Sequence, residues 1–353
     1  MTNGAAAAES RDAADRRPRL GFLGTGWIGR HRLEAIAAAG HARVVAVSDP
    51  SPDAAQAAAD AAAAAGHGGV VVVPSLDALL ALGVDGVVIA TPSALHAEQS
   101  VRALDAGAAV FCQKPLARTA AEARRVVDAA RSADRLLGVD LSYRHTAGMQ
   151  AVRALVQGGG IGRVHAVDLT FHNAYGPDKP WFYDPALAGG GCVMDLGIHL
   201  VDLALWTLGW PRVTGAAARR FARGLPLGAE PDGAAVEDYA VATLDLDTGA
   251  AVRLACSWHL SAGQDAVIEA TFYGDGGGAS FRNVSDSFYD FTAERFRGTA
   301  RAPLAAAGQA GSEAWGGRAA VAWAERLAAS PAFDPEAERA VEVAGVLDRI
   351  YGR

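Results

Sequence analysis

Asp195, His199 and Asp202 recur at i, i+4 and i+7 in a stretch that follows the triplet Gly189-Gly190-Gly191. At helical periodicity such residues share one face, while Leu196, Leu200, Leu203 and Leu205 fall on the others and supply core contacts. The first carboxylate is placed to hold the imidazole, and an imidazole works as a base near neutral pH. Asp and His at this spacing also suit a metal, but no Cys/His cluster supplies further ligands, so no metal is expected. The other reactive group is Lys114, in Phe111-Cys112-Gln113-Lys114-Pro115. It closes an apolar strand, and the proline after it favours a held turn, in cis if the fold demands it.

The elements that must position these groups begin with a strand, Arg19 to Leu23, which runs into Gly24-Thr25-Gly26-Trp27-Ile28-Gly29 and then a helix closed by Gly40. In G-x-G-x-x-G the first glycine makes the turn, the second lets backbone approach a pyrophosphate, and the third lets helix and strand pack. The helix start then offers free N–H groups to phosphates. A second strand, Val44 to Val47, ends at Asp49, twenty residues after Gly29, where a carboxylate suits a ribose 2′-hydroxyl and repels a 2′-phosphate. NAD is therefore expected over NADP.

Strand and helix keep alternating. Ser51-Pro52 opens a helix to about Ala65, Val70 to Val73 is a third strand, and Ser75 caps a short helix. Asp85 to Ala90 is the fourth strand and Ala109 to Cys112 the fifth. Thr119-x-x-Glu122 is a capping box, and Leu136 to Leu141 the sixth strand. This is the pattern of a doubly wound parallel sheet, whose ligands bind at the strands' carboxyl ends. Thr91-Pro92 and Gln113-Lys114 fall at two of those ends. Residues 1–17 read as a disordered tail, 18–142 as a dinucleotide-binding Rossmann domain and 143–353 as a domain for substrate binding and oligomerisation.

In the second half a helix from near His145 to Gly158 precedes an alternating strand, Arg163 to Asn173. The polar and aromatic loop Tyr175 to Asp184 suits a substrate mouth. Six further strands follow between Val213 and Thr292, with Asp247-Thr248-Gly249 as a hairpin signal. They predict a mostly antiparallel sheet with one free face. Helices Ser312 to Ala329 and Pro335 to Tyr351 close the chain. Tyr143, Arg144, His172, Asn173 and Trp181, with Asp195 and His199, are the candidate substrate contacts.

A net charge of −7 without a basic cluster excludes backbone recognition of nucleic acid. No apolar run reaches the ~20 residues that span a bilayer, so no membrane is expected. Three scattered cysteines give neither a disulfide framework nor a thiolate site. With no secretory h-region at the start, a cytoplasmic location is expected.

Taken together, these motifs resemble the glucose–fructose oxidoreductase / inositol dehydrogenase (Gfo/Idh/MocA) family. The resemblance rests on Gly24-x-Gly26-x-x-Gly29, Asp49, Ala90-Thr91-Pro92-Ser93-x-x-His96, Lys114-Pro115, and the glycine triplet ahead of Asp195-x-Gly197-x-His199-x-x-Asp202. It implies an α/β protein: an N-terminal Rossmann domain and a C-terminal α/β domain whose open-faced, mostly antiparallel sheet forms a homodimer or homotetramer. It implies hydride transfer between NAD and a secondary hydroxyl or ketone of a sugar, cyclitol or related polyol. Lys114, Asp195 and His199 would be the catalytic group. Gly24, Thr25, Gly26, Trp27, Ile28, Asp49, Thr91, Pro92, His96, Gln113 and Lys114 would hold the cofactor. Two other activities stay open: glycoside cleavage through transient oxidation with NAD retained, and a non-catalytic dinucleotide sensor. The sensor would not need the lysine and histidine kept here. One departure stands out, Gln113 where the family usually has Glu, which removes a negative charge beside Lys114.

Overall fold

The computed structural model describes residues 16–228, 235–305 and 314–353. Most of the expected N-terminal tail, residues 1–15, and Ser312 lie outside the described residues. Six parallel strands form the first sheet: β1 (Arg19–Leu23), β2 (Arg43–Ser48), β3 (Val71–Val72), β4 (Gly86–Ile89), β5 (Ala109–Cys112) and β6 (Leu137–Val139). Their order is β3-β2-β1-β4-β5-β6, so the chain reverses direction across the sheet between β1 and β4. A crevice opens at that switch point, beyond the carboxyl ends of the strands. Helices α1 (Trp27–Ala39), α2 (Pro52–Ala64), α3 (Leu76–Leu80), α4 (Ser93–Asp105) and α5 (Ala120–Ala133) connect the strands.

Local chemistry sets these helix ends. The side chains of Ser51, Ser75 and Thr119 accept from the N–H groups of Ala54, Ala78 and Glu122. The expected box at Thr119 is only half formed. Glu122 reaches the N–H of Arg118, at 3.0 Å, because the Arg118 guanidinium also binds that carboxylate.

In the second half α6 (Ala147–Gln157), β7 (Val164–Asn173) and the short α7 (Pro185–Ala188) lead into a π-helical turn, Val193–Gly197, continuous with α8 (Ile198–Thr207). Strands β8 (Val213–Ala222), β9 (Leu225–Pro226), β10 (Tyr239–Leu246), β11 (Ala251–Ser257), β12 (Ala266–Gly274), β13 (Gly277–Asn283), β14 (Phe291–Arg297) and β15 (Ala300–Ala305) complete a nine-stranded sheet with β7. Among the described residues of this sheet, only β7 and β11 pair in parallel. β9 and β15 carry no sequence signal, because β9 is two residues long and β15, with Pro303, is mostly exposed and lacks apolar alternation. All of α8 is buried against the sheet. The stretch Pro185–Thr207 is apolar and long enough to cross a membrane by composition, but it is largely buried in this core.

The last helices are α9 (Ala314–Ala329) and α10 (Glu338–Tyr351). In α9, Ala319, Ala320, Trp323, Ala324 and Leu327 join Leu20, Phe22 and Phe111 in one core, with the Trp323 and Phe111 rings 5.6 Å apart. In α10, Val343, Val346, Leu347 and Ile350 pack into the second core. The end of the chain therefore returns to complete the first core.

Candidate active site

One cavity of about 930 Å³ runs from the G-x-G-x-x-G turn to the π-helical turn, lined by Gly24, Gly26, Trp27, Ile28 and Asp49 at one end and Lys114, Asp195 and His199 at the other. At the nucleotide end, Gly24 has φ +84° and donates to the Ser48 carbonyl at 2.8 Å, closing the turn. A Cβ on Gly29 would lie 2.0 Å from the Gly24 oxygen, so helix and turn touch only because that position is bare. A Cβ on Gly26 would meet nothing within 4 Å. The start of α1 has neither a side-chain cap nor an acidic residue in its first turn, which leaves its N–H groups to an external anion. These residues fit a dinucleotide.

Asp49 accepts from Thr25 N–H at 2.6 Å and from Ser51 N–H at 2.9 Å while still lining the cavity. Thr25 itself is buried behind the turn. Thr91 and Pro92 form the wall at the exit of β4, and Thr91 Oγ1 donates to Gln99 at 2.6 Å. The His96 ring nitrogens lie 2.7 Å from the carbonyls of Pro115 and Thr91, so this buried ring ties the exit of β4 to that of β5. The Lys114–Pro115 bond is cis.

At the other end Lys114 Nζ donates to Asp195 Oδ1 at 2.5 Å and to the Asp195 carbonyl at 2.7 Å. Asp195 Oδ2 accepts from Trp258 Nε1 at 3.1 Å. His199 is buried, with the edge of the Tyr143 ring 4.9 Å away between centroids. Burial first, then the charges of Lys114 and Arg32, hold its pKa well below the usual value. The ring is thus an unprotonated acceptor at neutral pH.

Several expectations are corrected here. Among the described residues no hydrogen bond joins Asp195 to His199; the carboxylate holds Lys114 and Trp258 instead. The reason is the π turn: Ile198 N–H reaches Val193 O, five residues back, which widens the turn and rotates Asp195 off the face of His199. Asp202 leaves the group altogether and pairs with Arg144, whose Nε lies 2.8 Å from it and whose guanidinium also meets Glu336 and stacks on Trp210. Arg144, expected at the substrate, is therefore a structural cation away from the cavity. His172 is also displaced. Side chains alternate along β7, so Phe171 and Asn173 face the cavity while His172 points to the opposite face, bonded to Ser257 at 2.8 Å and stacked on Tyr239. Tyr143, Asn173 and Trp181 do line the cavity.

Other residues of the site carry no sequence signal. Glu237, 1% exposed, accepts through Oε1 from Gly191 N–H at 2.9 Å, Val193 N–H at 3.0 Å and Tyr351 Oη at 2.7 Å. It caps the helix that presents Asp195 and His199. A Cβ on Gly191 would lie 1.9 Å from the Glu237 carbonyl, which is why this stretch is glycine. Arg32 and Asp140, an ion pair at 2.6 Å, are buried beside the reactive end.

The family described as oxidoreductase, NAD-binding Rossmann fold, matches residues 19–141, and the GFO/IDH/MocA C-terminal domain matches residues 149–280. A putative UDP-kanosamine synthase oxidoreductase subunit of Amycolatopsis mediterranei is 34% identical over 266 residues, 71% of each chain. D-glucoside 3-dehydrogenase of Escherichia coli is 30% identical over 213 residues, 57% of this chain and 60% of that one. Inositol 2-dehydrogenase of Rhizobium meliloti is 34% identical over 192 residues, 54% of this chain and 55% of that one. The chain thus spans 55–60% of the length of those two curated relatives. Among solved structures, levoglucosan dehydrogenase in complex with NADH and levoglucosan superposes with a TM-score of 0.78 at 21% identity, over 95% of this chain and 96% of the other, a likeness of fold.

Proposed function

This chain belongs to the Gfo/Idh/MocA family of NAD-binding oxidoreductases, and from that premise we propose that it is an NAD-dependent dehydrogenase of a secondary hydroxyl on a sugar, cyclitol or related polyol. The observation that carries the reading is a neutral, buried His199 and a carboxylate-anchored Lys114 in one cavity with a bare helix start and Gly26. The sugar- and inositol-directed relatives support the substrate class.

In this reading Gly24, Gly26, Trp27, Ile28, Asp49, Thr91 and Pro92 hold the dinucleotide along the crevice. When bound, its nicotinamide supplies the hydride acceptor. His199 takes the proton of the substrate hydroxyl through the ring nitrogen that meets the cavity. The Lys114 ammonium donates to the same oxygen as its negative charge develops. Asp195 fixes Lys114 and keeps its charge paired until substrate arrives, a different duty from orienting the imidazole. Tyr143 sets the plane of the His199 ring. Trp181, stacked on Phe182 at 3.8 Å, offers an aromatic face to the C–H face of a sugar ring, and Asn173 offers a carboxamide to a neighbouring hydroxyl. The reading also carries a cytoplasmic location and a homodimer or homotetramer; the exposed outer face of the nine-stranded sheet supports the assembly.

The test is a panel of aldoses, pyranosides and cyclitols with NAD and with NADP, followed by reduced-nucleotide absorbance. Turnover of at least one polyol with NAD is expected. No turnover across the panel, with NAD binding intact, would overturn the activity.

A further inference from the structure

Gln113 stands directly before Lys114-Pro115, where the family resemblance implies Glu, and its two tip atoms do different things. Its Oε1 accepts the Lys114 N–H at 2.8 Å, and its Nε2 donates to Asp140 Oδ2 at 3.0 Å. The reverse amide orientation would set donor against donor and acceptor against acceptor, so the assignment is forced. A carboxylate, with acceptors only, satisfies the first contact and not the second. Asp140 is 1% exposed and also accepts from Arg32 Nε at 2.6 Å and Ser142 Oγ at 2.5 Å. A Glu at position 113 would put a second carboxylate against it, at a distance where both do not stay ionised.

We propose that Gln113, Asp140 and Arg32 form one positioning unit for Lys114, in which the negative charge that Glu would bring at position 113 is carried by Asp140, just past the end of the neighbouring strand β6, and the amide links it to the lysine backbone. The charge has moved by one hydrogen bond and has not been lost. Gln113 and Asp140 are then coupled: Gln113→Glu replaces the donor with a second carboxylate, Asp140→Asn keeps an acceptor for the amide but removes the charge, and the pair exchanged together restores one carboxylate and one amide. The unit rests on the reading of Lys114 as catalytic.

The groups facing Asp140 are Arg32 and His31 from α1, Cys112 from β5, and Ser142 and His145 from the turn after β6. None of them is a carboxylate, so Gln113→Glu introduces a titration that the wild type lacks. The experiment uses the full chain with NAD and a polyol it turns over, comparing Q113E, D140N, the double variant Q113E/D140N and K114A. Relative to wild type at each pH, Q113E is expected to lose about tenfold or more in kcat/KM at alkaline pH. It regains activity at mildly acidic pH, where the carboxyl pair shares a proton. The double variant, with one carboxylate again, exceeds both single variants. Thermal unfolding gives a second readout independent of turnover: the Tm deficit of Q113E grows with pH and is reversed in the double variant. Wild-type activity and Tm in Q113E at every pH, or a double variant no better than its stronger parent, would overturn the proposal. Full turnover by K114A would instead remove Lys114 from catalysis while the Tm comparison still tested the unit.

Discussion

His199 is depressed by burial and by two nearby cations, Lys114 and Arg32, and all three act in the same direction. A base so held keeps its acceptor form below the ordinary histidine value of about 6.5. The kcat of oxidation should therefore stay flat from neutral into mildly acidic pH and fall only as the pH drops through the lowered value; a pH profile of kcat checks it. The same shift affects stability. The unfolded histidine binds its proton more readily than the folded one, so this contribution is full above about 6.5 and is lost as pH falls toward the folded value. Replacement of His199 or Lys114 by Ala should lower kcat by roughly 10²–10⁴ while calorimetry shows NAD binding unchanged. At the nucleotide end, Asp49→Ser removes the charge that repels a 2′-phosphate. It should narrow the NAD/NADP preference in kcat/KM by about tenfold or more; an unchanged ratio would remove Asp49 from cofactor choice.

At the scale of elements, the π-helical turn decides which carboxylate serves which partner. A regular helix through Asp195 and His199 would have aligned them; one extra residue in the turn sends Asp195 to Lys114 and Trp258. Glu237 holds the start of that helix from a different strand region, and α10 contributes Tyr351 to the same oxygen. Glu237→Ala leaves buried N–H groups without an acceptor and should cost about 1–3 kcal/mol of unfolding free energy. Glu237→Gln keeps the Oε1 acceptor and should recover most of it. Denaturant titration of the two variants checks both statements. Trp258→Phe keeps the packing but loses the hydrogen bond to Asp195 Oδ2. It should lower kcat severalfold with little change in the unfolding midpoint.

At the scale of the molecule, the cavity lies between two cores that the chain's last helices tie together. Trp323 of α9 fills the first core against Phe111, on the strand that delivers Lys114. Trp323→Ala should cost about 3–5 kcal/mol, measured by chemical denaturation, and should weaken NAD binding as well as fold stability. The polar outer face of the large sheet, with Asp168 and Arg253 paired across β7 and β11 at 3.0 Å, is left uncovered by the helices among the described residues. A subunit interface there would bring the Asp168–Arg253 pair into contact with a second copy, and sedimentation of Arg253→Glu against wild type tests it.

Much of the fold was legible along the chain because its signals are local. The apolar runs of β1, β2, β4 and β5, the caps at Ser51, Ser75 and Thr119, and the glycine turn each depend on a few neighbouring residues, and together they determined a parallel sheet with a nucleotide crevice. The same holds for Lys114 and His199, whose place follows from the end of a strand and the face of a helix. What only the tertiary structure decided is pairing across long separations. Asp195 serves Lys114 and not His199, Asp202 answers Arg144, His172 turns away from the cavity, and Glu237 caps a helix forty-odd residues before it. No periodicity encodes such partners, because a buried charge takes whichever opposite charge or donor the packing of distant elements brings within reach.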